Sequence, residues 1–150
     1  MAAHEEIPKW KTIRGIYQPH GLGEAGLCIE KQKPLLAKYF PEILDCYSGT
    51  LNFTLEEPLI INHPDVKTPR LFWKDNYPAE DFGFTKVYLH FEKFSKDHQI
   101  TGWIYQAMFS PFAPDPFLIE VVAPFSDIKG ITRFSIKIPR KFSQLKCTVI

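Results

Sequence analysis

Thirteen prolines are scattered through this 150-residue chain, against roughly 5% of residues in an average protein. Each removes a backbone donor and clashes with the preceding helical turn, so long helices are excluded over most of the length. Prolines are tolerated in turns and at strand edges. Thirteen phenylalanines accompany them, a residue that suits the half-buried face of a strand. The pairing predicts a chain of short strands joined by turns.

The alternation along the chain supports that expectation. Lys11 to Tyr17 reads as a first strand, with Ile13, Gly15 and Tyr17 on one face and Thr12, Arg14 and Ile16 on the other. Thr50 to Leu55 places Leu51, Phe53 and Leu55 opposite Thr50, Asn52 and Thr54. Leu59 to Ile61 and Arg70 to Trp73 are shorter candidates, the second within an aromatic-rich stretch, Leu71-Phe72-Trp73-Lys74. Phe84 to Phe94 and Gln99 to Phe109 form a hairpin around a Ser95-Lys96-Asp97-His98 turn. Phe117 to Val122 is an apolar strand broken only by Glu120, and Arg133 to Ile138 turns Phe134, Ile136 and Ile138 inward. Leu27-Cys28-Ile29 reads as a short return strand. One helix is expected from Pro34, at its first position, to Leu44, interrupted by Pro41. Seven or more strands with one helix predict a mainly β fold, a small closed or nearly closed barrel. The whole of residues 1–150 forms a single domain, with an N-terminal extension over 1–11 and a tail over 139–150.

Charge and cysteine usage narrow the function classes. Lys plus Arg number 18 and Asp plus Glu 17, a net charge of +1, so no overall field draws nucleic acid or an anionic membrane. No apolar run reaches 18 residues, and the first ten carry no apolar core of a signal peptide. Three well-separated cysteines, an odd number without a C-x-x-C pair, point to a reducing compartment, the cytoplasm. The five histidines show no metal-ligand spacing.

Two clusters carry chemistry. Gly21-Leu22-Gly23-Glu24-Ala25-Gly26 matches the dinucleotide fingerprint by letter, but that fingerprint must open a helix inside a strand–helix–strand unit. With Leu27 to Ile29 read as a strand, the context fails. The loop is then either a plain hairpin tip or a cradle whose glycines let backbone N–H groups approach a polyphosphate. Thr50 and Asn52 sit at i and i+2 of a strand, so their oxygens share one face: a polar solvent face, or a pair of oxygen ligands.

At these residues the chain resembles the archaeal CTP-dependent riboflavin kinases. Gly15 with Gly21 to Glu24 resembles the family's first strand and nucleotide loop. Tyr47-Ser48-Gly49-Thr50-Leu51-Asn52 is similar to its G-T-L-N motif, and Glu120-Val121-Val122-Ala123-Pro124 to its E-[IV]-[IV]-A-P strand end. Gly102 and Ile104 stand where the family has a glycine-led strand. The resemblance implies a six-stranded cradle-loop barrel with one short helix that transfers a phosphoryl group from CTP to riboflavin, giving FMN and CDP. It implies Mg²⁺ at Thr50 and Asn52, nucleotide at Gly21 to Gly26, and flavin at Ser110 and Glu120, the glutamate acting as catalytic base. Glu120 could equally be an outward, solvated strand residue, and Ser110 an ordinary loop serine.

The chain also departs from the family pattern. The loop before Gly21 is one residue longer, and Ala25 replaces a glycine. Met108 and Phe109 precede Ser110 where the family is basic. After Pro124, Phe125-Ser126-Asp127-Ile128 replaces a stretch leading to a leucine–arginine pair that helps hold CDP. Loss of a cation there leaves Lys129 or Arg133 as substitutes. It also motivates an alternative, a non-catalytic barrel of the same fold that binds a flavin or a nucleotide. Either reading expects small-molecule partners, neither nucleic acid nor membrane; the oligomeric state stays open.

Overall fold

The computed structural model describes residues 10–19, 25–72, 79–108 and 115–139; of residues 25–28 it describes the helical backbone alone. Among the described residues seven strands run in chain order: β1 (Trp10–Gln18), β2 (Leu51–Leu55), β3 (Val66–Lys67), β4 (Phe82–Lys93), β5 (Lys96–Ala107), β6 (Leu118–Val122) and β7 (Arg133–Pro139). Their order in the sheet is β3-β4-β5-β6-β2-β1-β7, and β4 also pairs with β7. That last pairing, with Leu89 opposite Ile136, closes six antiparallel strands into a barrel and leaves β3 outside it. Closure removes the sheet edges that an open six-stranded sheet would expose. The expected mainly β fold, a six-stranded barrel with one short helix, is what forms. Among the described residues no helix is long and apolar enough to cross a membrane.

The inward faces follow the period-2 pattern. Ile13, Phe53, Leu55, Val87, Leu89, Phe91, Ile104, Ile119, Val121, Phe134, Ile136 and Ile138 are buried together in the barrel, with Tyr17 and Leu51 packed against them. Ile16 lies on the opposite face and is exposed. Trp10 and Lys11 belong to β1, opposite Pro139 and Ile138 of β7, so the barrel reaches further toward both termini than the alternation indicated.

The helix departs from the sequence expectation. α1 spans Ala25–Leu36, with Pro34 inside it rather than at its start, and Leu27-Cys28-Ile29 lies within the helix rather than in a strand. Ile29, Gln32 and Leu36 are each at most 1% exposed, an i, i+3, i+7 stripe that only a helix can bury on one side. Pro34 withholds one amide donor near the C-terminal end, where few helical bonds remain to lose. Pro41–Asp45 forms a separate 3₁₀ helix. The helix therefore does open within the glycine fingerprint, yet β2 pairs antiparallel with β1. The parallel strand–helix–strand unit of a dinucleotide fold is absent, so that exclusion stands on topology instead.

α1 and the 3₁₀ helix cover the outer face of β4, β5 and β6. Ile29, Leu36, Phe40, Ile43 and Cys46 pack on Phe82, Phe84 and Val122, with Trp103 and Tyr105 at the margin. This second core explains the nearly unbroken apolar run of β6: Ile119 and Val121 face the barrel, while Val122 faces the helix layer.

Three further details differ. The β4–β5 hairpin turns at Phe94-Ser95, both left-handed (φ 53° and 60°), with Lys93 opposite Lys96. Neither residue is a Gly, Asn or Asp that signals such a turn, so the twelve paired positions on each side impose it. Leu71 makes an isolated bridge to Glu80, and the Leu59–Ile61 stretch forms no strand.

Gly102 sits where β5 and β6 leave no room for a side chain. A Cβ there would meet Val121 Cγ1 at 2.7 Å, the Val122 carbonyl oxygen at 3.1 Å and Ala123 Cβ at 3.3 Å. The branched Val121 side chain is buried and stiff about its first torsion, and the carbonyl behind it is backbone, so neither yields easily. Gly102→Ala is expected to destabilise the barrel by about 1–3 kcal/mol, read as a lower midpoint in urea; an unchanged midpoint would show that β5 and β6 can separate freely.

Candidate functional site

Antiparallel register brings a polar strip together on the outer barrel face. Gln18 of β1 stands opposite Asn52 of β2, Asn52 opposite Glu120 of β6, and Glu120 opposite Tyr105 of β5. Directly opposed residues point to the same side of a sheet, so these four side chains form one row across four strands. Thr50 lies on the same face as Asn52, and its Oγ1 donates to Asn52 Oδ1 at 3.2 Å. The Tyr105 hydroxyl donates to Gln32 Oε1 at 2.9 Å, tying the row to α1. The strip thus runs from Gln18 at the end of β1 to Gln32 within α1.

The β5–β6 pairing stops at Tyr105 and Glu120. Beyond that pair the strands splay and a pocket of about 480 Å³ opens, within the range of small-molecule sites. Its walls are mainly apolar, with Phe53, Leu59, Ile104 and Ile119 among them, and Asn52 and Glu120 at its polar side. Gln106 also lines it; its Nε2 donates to the Ile61 carbonyl at 3.2 Å, while its Oε1 is buried with no partner.

Glu120 occupies the junction of strip and pocket. Burial pushes its carboxyl above the ordinary glutamate value, and no neighbouring charge contributes to the shift. Desolvation of an uncompensated carboxylate has that sign. It makes the group a better proton acceptor at neutral pH than a solvated glutamate. The solvated alternative therefore gives way to a half-buried carboxylate beside a pocket.

Thr50 and Asn52 pass a simple test as a divalent-cation pair. Mg²⁺ binds oxygen ligands at about 2.0–2.1 Å in an octahedron, which sets adjacent ligands roughly 2.9 Å apart. Two side-chain oxygens 3.2 Å apart reach that spacing with a small adjustment. Among the described residues no cluster of three His, Cys, Asp or Glu side chains offers a competing site.

Of the other residues singled out in the sequence, Gly21 to Glu24 and Ser110 lie outside the described residues, and Ala25 and Gly26 start α1. Arg133 does not join the strip. It lines a separate groove with Arg14 and His90, and it faces Ile16 across β1–β7. Cys46 is buried, and burial pushes its thiol up to about 11 despite the lowering influence of Lys33, so it is a poor nucleophile at neutral pH. Gln18, Tyr105 and Gln106 were not legible as site residues. The one available signal was Gln106 itself, a polar residue on the inward parity of Gly102 and Ile104.

Fold and site together define a structural class, a closed antiparallel barrel with a polar strip beside an apolar pocket. No family model matches the chain, and no curated protein matches it. Its own residues therefore carry the functional reading.

Proposed function

We propose that this chain is a Mg²⁺-dependent phosphotransferase that moves the terminal phosphoryl group of CTP to riboflavin. The observation that carries the reading is the Asn52–Glu120 register pair. It sets an oxygen pair suited to Mg²⁺ next to a desolvated carboxylate at the mouth of an apolar pocket. In this reading the pocket takes the flavin ring, with Ser110 contributing to the same site, and Gly21 to Gly26 cradle the phosphates through backbone N–H groups. Glu120 accepts the proton of the ribityl hydroxyl as its oxygen bonds to the terminal phosphorus. The bond to the bridging oxygen breaks, and CDP leaves with that electron pair. Thr50 and Asn52 would hold Mg²⁺, which when bound neutralises phosphate charge.

Two neutral ligands bind Mg²⁺ weakly alone, so metal and nucleotide should bind together. Thr50→Ala and Asn52→Ala are each expected to weaken Mg²⁺-dependent CDP binding by at least roughly 10- to 100-fold, the loss seen for lesser, outer-shell changes at metal sites. Stability should change by no more than about 1.5 kcal/mol, the loss of one hydrogen bond. Calorimetric titration with and without Mg²⁺ checks the first and thermal melting the second; unfolded variants would show a structural role instead.

The direct test is incubation of the purified chain with Mg²⁺, CTP and riboflavin, followed by chromatography for FMN and CDP. ATP, GTP and UTP serve in parallel to identify the donor. A second reading, a non-catalytic barrel that binds flavin or nucleotide, is favoured by the placement of two cations. Arg133 faces another groove, and the Lys33 ammonium donates to the Cys46 carbonyl at 2.6 Å. Ligand binding without turnover of any of the four nucleotides would select it.

A further inference from the structure

Thr85 and Gln106 each bury a side-chain oxygen that pairs with no group among the described residues. Buried polar groups are nearly always satisfied in native proteins, and an unpaired one costs stability. Both face the barrel interior. Thr85 shares the parity of Val87, Leu89 and Phe91 on β4, and Gln106 that of Ile100 and Ile104 on β5, all of them barrel-core residues. In the register Thr85 stands opposite Ile104 and Gln106 opposite Gly83. Thr85 and Gln106 are therefore diagonal neighbours on one face of adjacent strands, close enough for a long side chain to span. Gly83 offers Gln106 no cross-strand partner, and it has no room for one: a Cβ there would meet Pro64 Cγ at 2.8 Å.

The two groups mark one wall of the apolar pocket. Gln106 and Ile104 both line it, and Thr85 stands one residue pair deeper. The Gln106 amide is held in one orientation, because Nε2 donates to the Ile61 carbonyl at 3.2 Å and a flipped amide would put two acceptors face to face. Oε1 is left as an acceptor. The terminal torsion of a glutamine is broad, so a small rotation that keeps the Ile61 bond turns Oε1 toward the pocket. Thr85 Oγ1 can donate or accept. The wall thus presents an acceptor that needs an N–H beside a hydroxyl that can serve a carbonyl. Both are uncharged, and Phe53, Leu59 and Ile119 around them are apolar. A neutral N–H and C=O on the edge of a flat ring match this wall; a charged group does not.

We infer that Gln106 and Thr85 are specificity-determining residues, which read an amide-type edge of the pocket's ring ligand. Gln106 Oε1 accepts from the ring N–H, and Thr85 Oγ1 donates to the adjacent carbonyl. The inference rests on the flavin reading above, and it adds which edge of the ring faces inward: the imide N–H and its carbonyl.

The test is a fluorescence titration of the full chain with riboflavin and with imide-N-methylated riboflavin, in which a methyl group replaces the imide hydrogen. The wild type is expected to bind the methylated ligand roughly 5- to 150-fold more weakly, the effect of leaving a buried acceptor unpaired. Gln106→Leu should bind riboflavin more weakly than the wild type by a similar factor and discriminate less between the two ligands. Thr85→Val, which is nearly isosteric, should lower riboflavin affinity roughly 2- to 13-fold, the loss of one net hydrogen bond, and should melt no lower than the wild type. Thr85→Val and the wild-type comparison decide the question if Gln106→Leu does not fold. Equal wild-type affinity for both flavins overturns the inference alone, as does unchanged riboflavin affinity in either variant. Undiminished discrimination in Gln106→Leu also overturns it, because shape alone would then reject the methyl group. A wild-type chain that binds neither flavin overturns the inference together with the flavin reading.

Discussion

Glu120→Gln is expected to lower the rate of FMN formation by roughly 10²–10⁴-fold, the contribution of a positioned general base. The substitution keeps the shape of the side chain and removes its ability to take a proton. CDP affinity should change little, because the glycine segment and the Thr50–Asn52 pair are separate elements. In the wild type, activity should rise with pH through the raised Glu120 value, since the base must be ionised to act; the variant should lose that limb. Stability carries the opposite sign. A carboxyl raised by burial favours the folded state when protonated, so its contribution is present below the unfolded glutamate value of about 4.3. It is lost as pH rises through the folded value. Glu120→Gln should therefore melt above the wild type at pH 7, with the gap closing near about pH 4. Wild-type turnover in the variant would place the base elsewhere, and an unchanged melting difference across pH would show that Glu120 is solvated.

Phe40→Ala should lower stability by about 3–5 kcal/mol. Phe40 is 1% exposed, stacks on Phe84 with centroids 4.3 Å apart and meets Trp103 edge-on at 5.3 Å. It sits between α1 and the 3₁₀ helix and joins that layer to the outer face of β4 and β5. Truncation leaves a cavity that closed strands on one side and helices on the other can collapse into only partly. With about 2–4 °C per kcal/mol for a chain of this size, the melting temperature should fall by roughly 6–20 °C. The barrel interior lies on the other side of the sheet, so loss of CDP binding should follow the loosening of α1, which adjoins the glycine segment. A fall below about 1 kcal/mol would mean that the helix layer is not bound to the barrel through this ring.

Much of the barrel is legible along the chain because a strand's alternation is a local property. Ile13, Gly15 and Tyr17, Leu51, Phe53 and Leu55, and Phe134, Ile136 and Ile138 declare their inward face within five residues of themselves. Thr50 and Asn52 share a face for the same reason, and the polar break at Glu120 is visible in its apolar strand. The helix was legible only in part. Its buried stripe contains the polar Gln32, and Pro34 suggested a beginning where there is nearly an end.

The remaining features depend on contacts between distant segments. Closure through β4 and β7, the Phe94-Ser95 turn, and the opposition of Asn52 to Glu120 are set by register, which follows from how six strands share one core rather than from any one strand. The rise in the Glu120 carboxyl value comes from burial that neighbours in sequence do not supply. The meeting of Tyr47 with Phe125 accompanies a backbone hydrogen bond that joins the segment before β2 to the segment after β6. Local pattern determined which residues face inward; tertiary pairing decided which outward residues meet, because a pairing partner is chosen by the whole sheet.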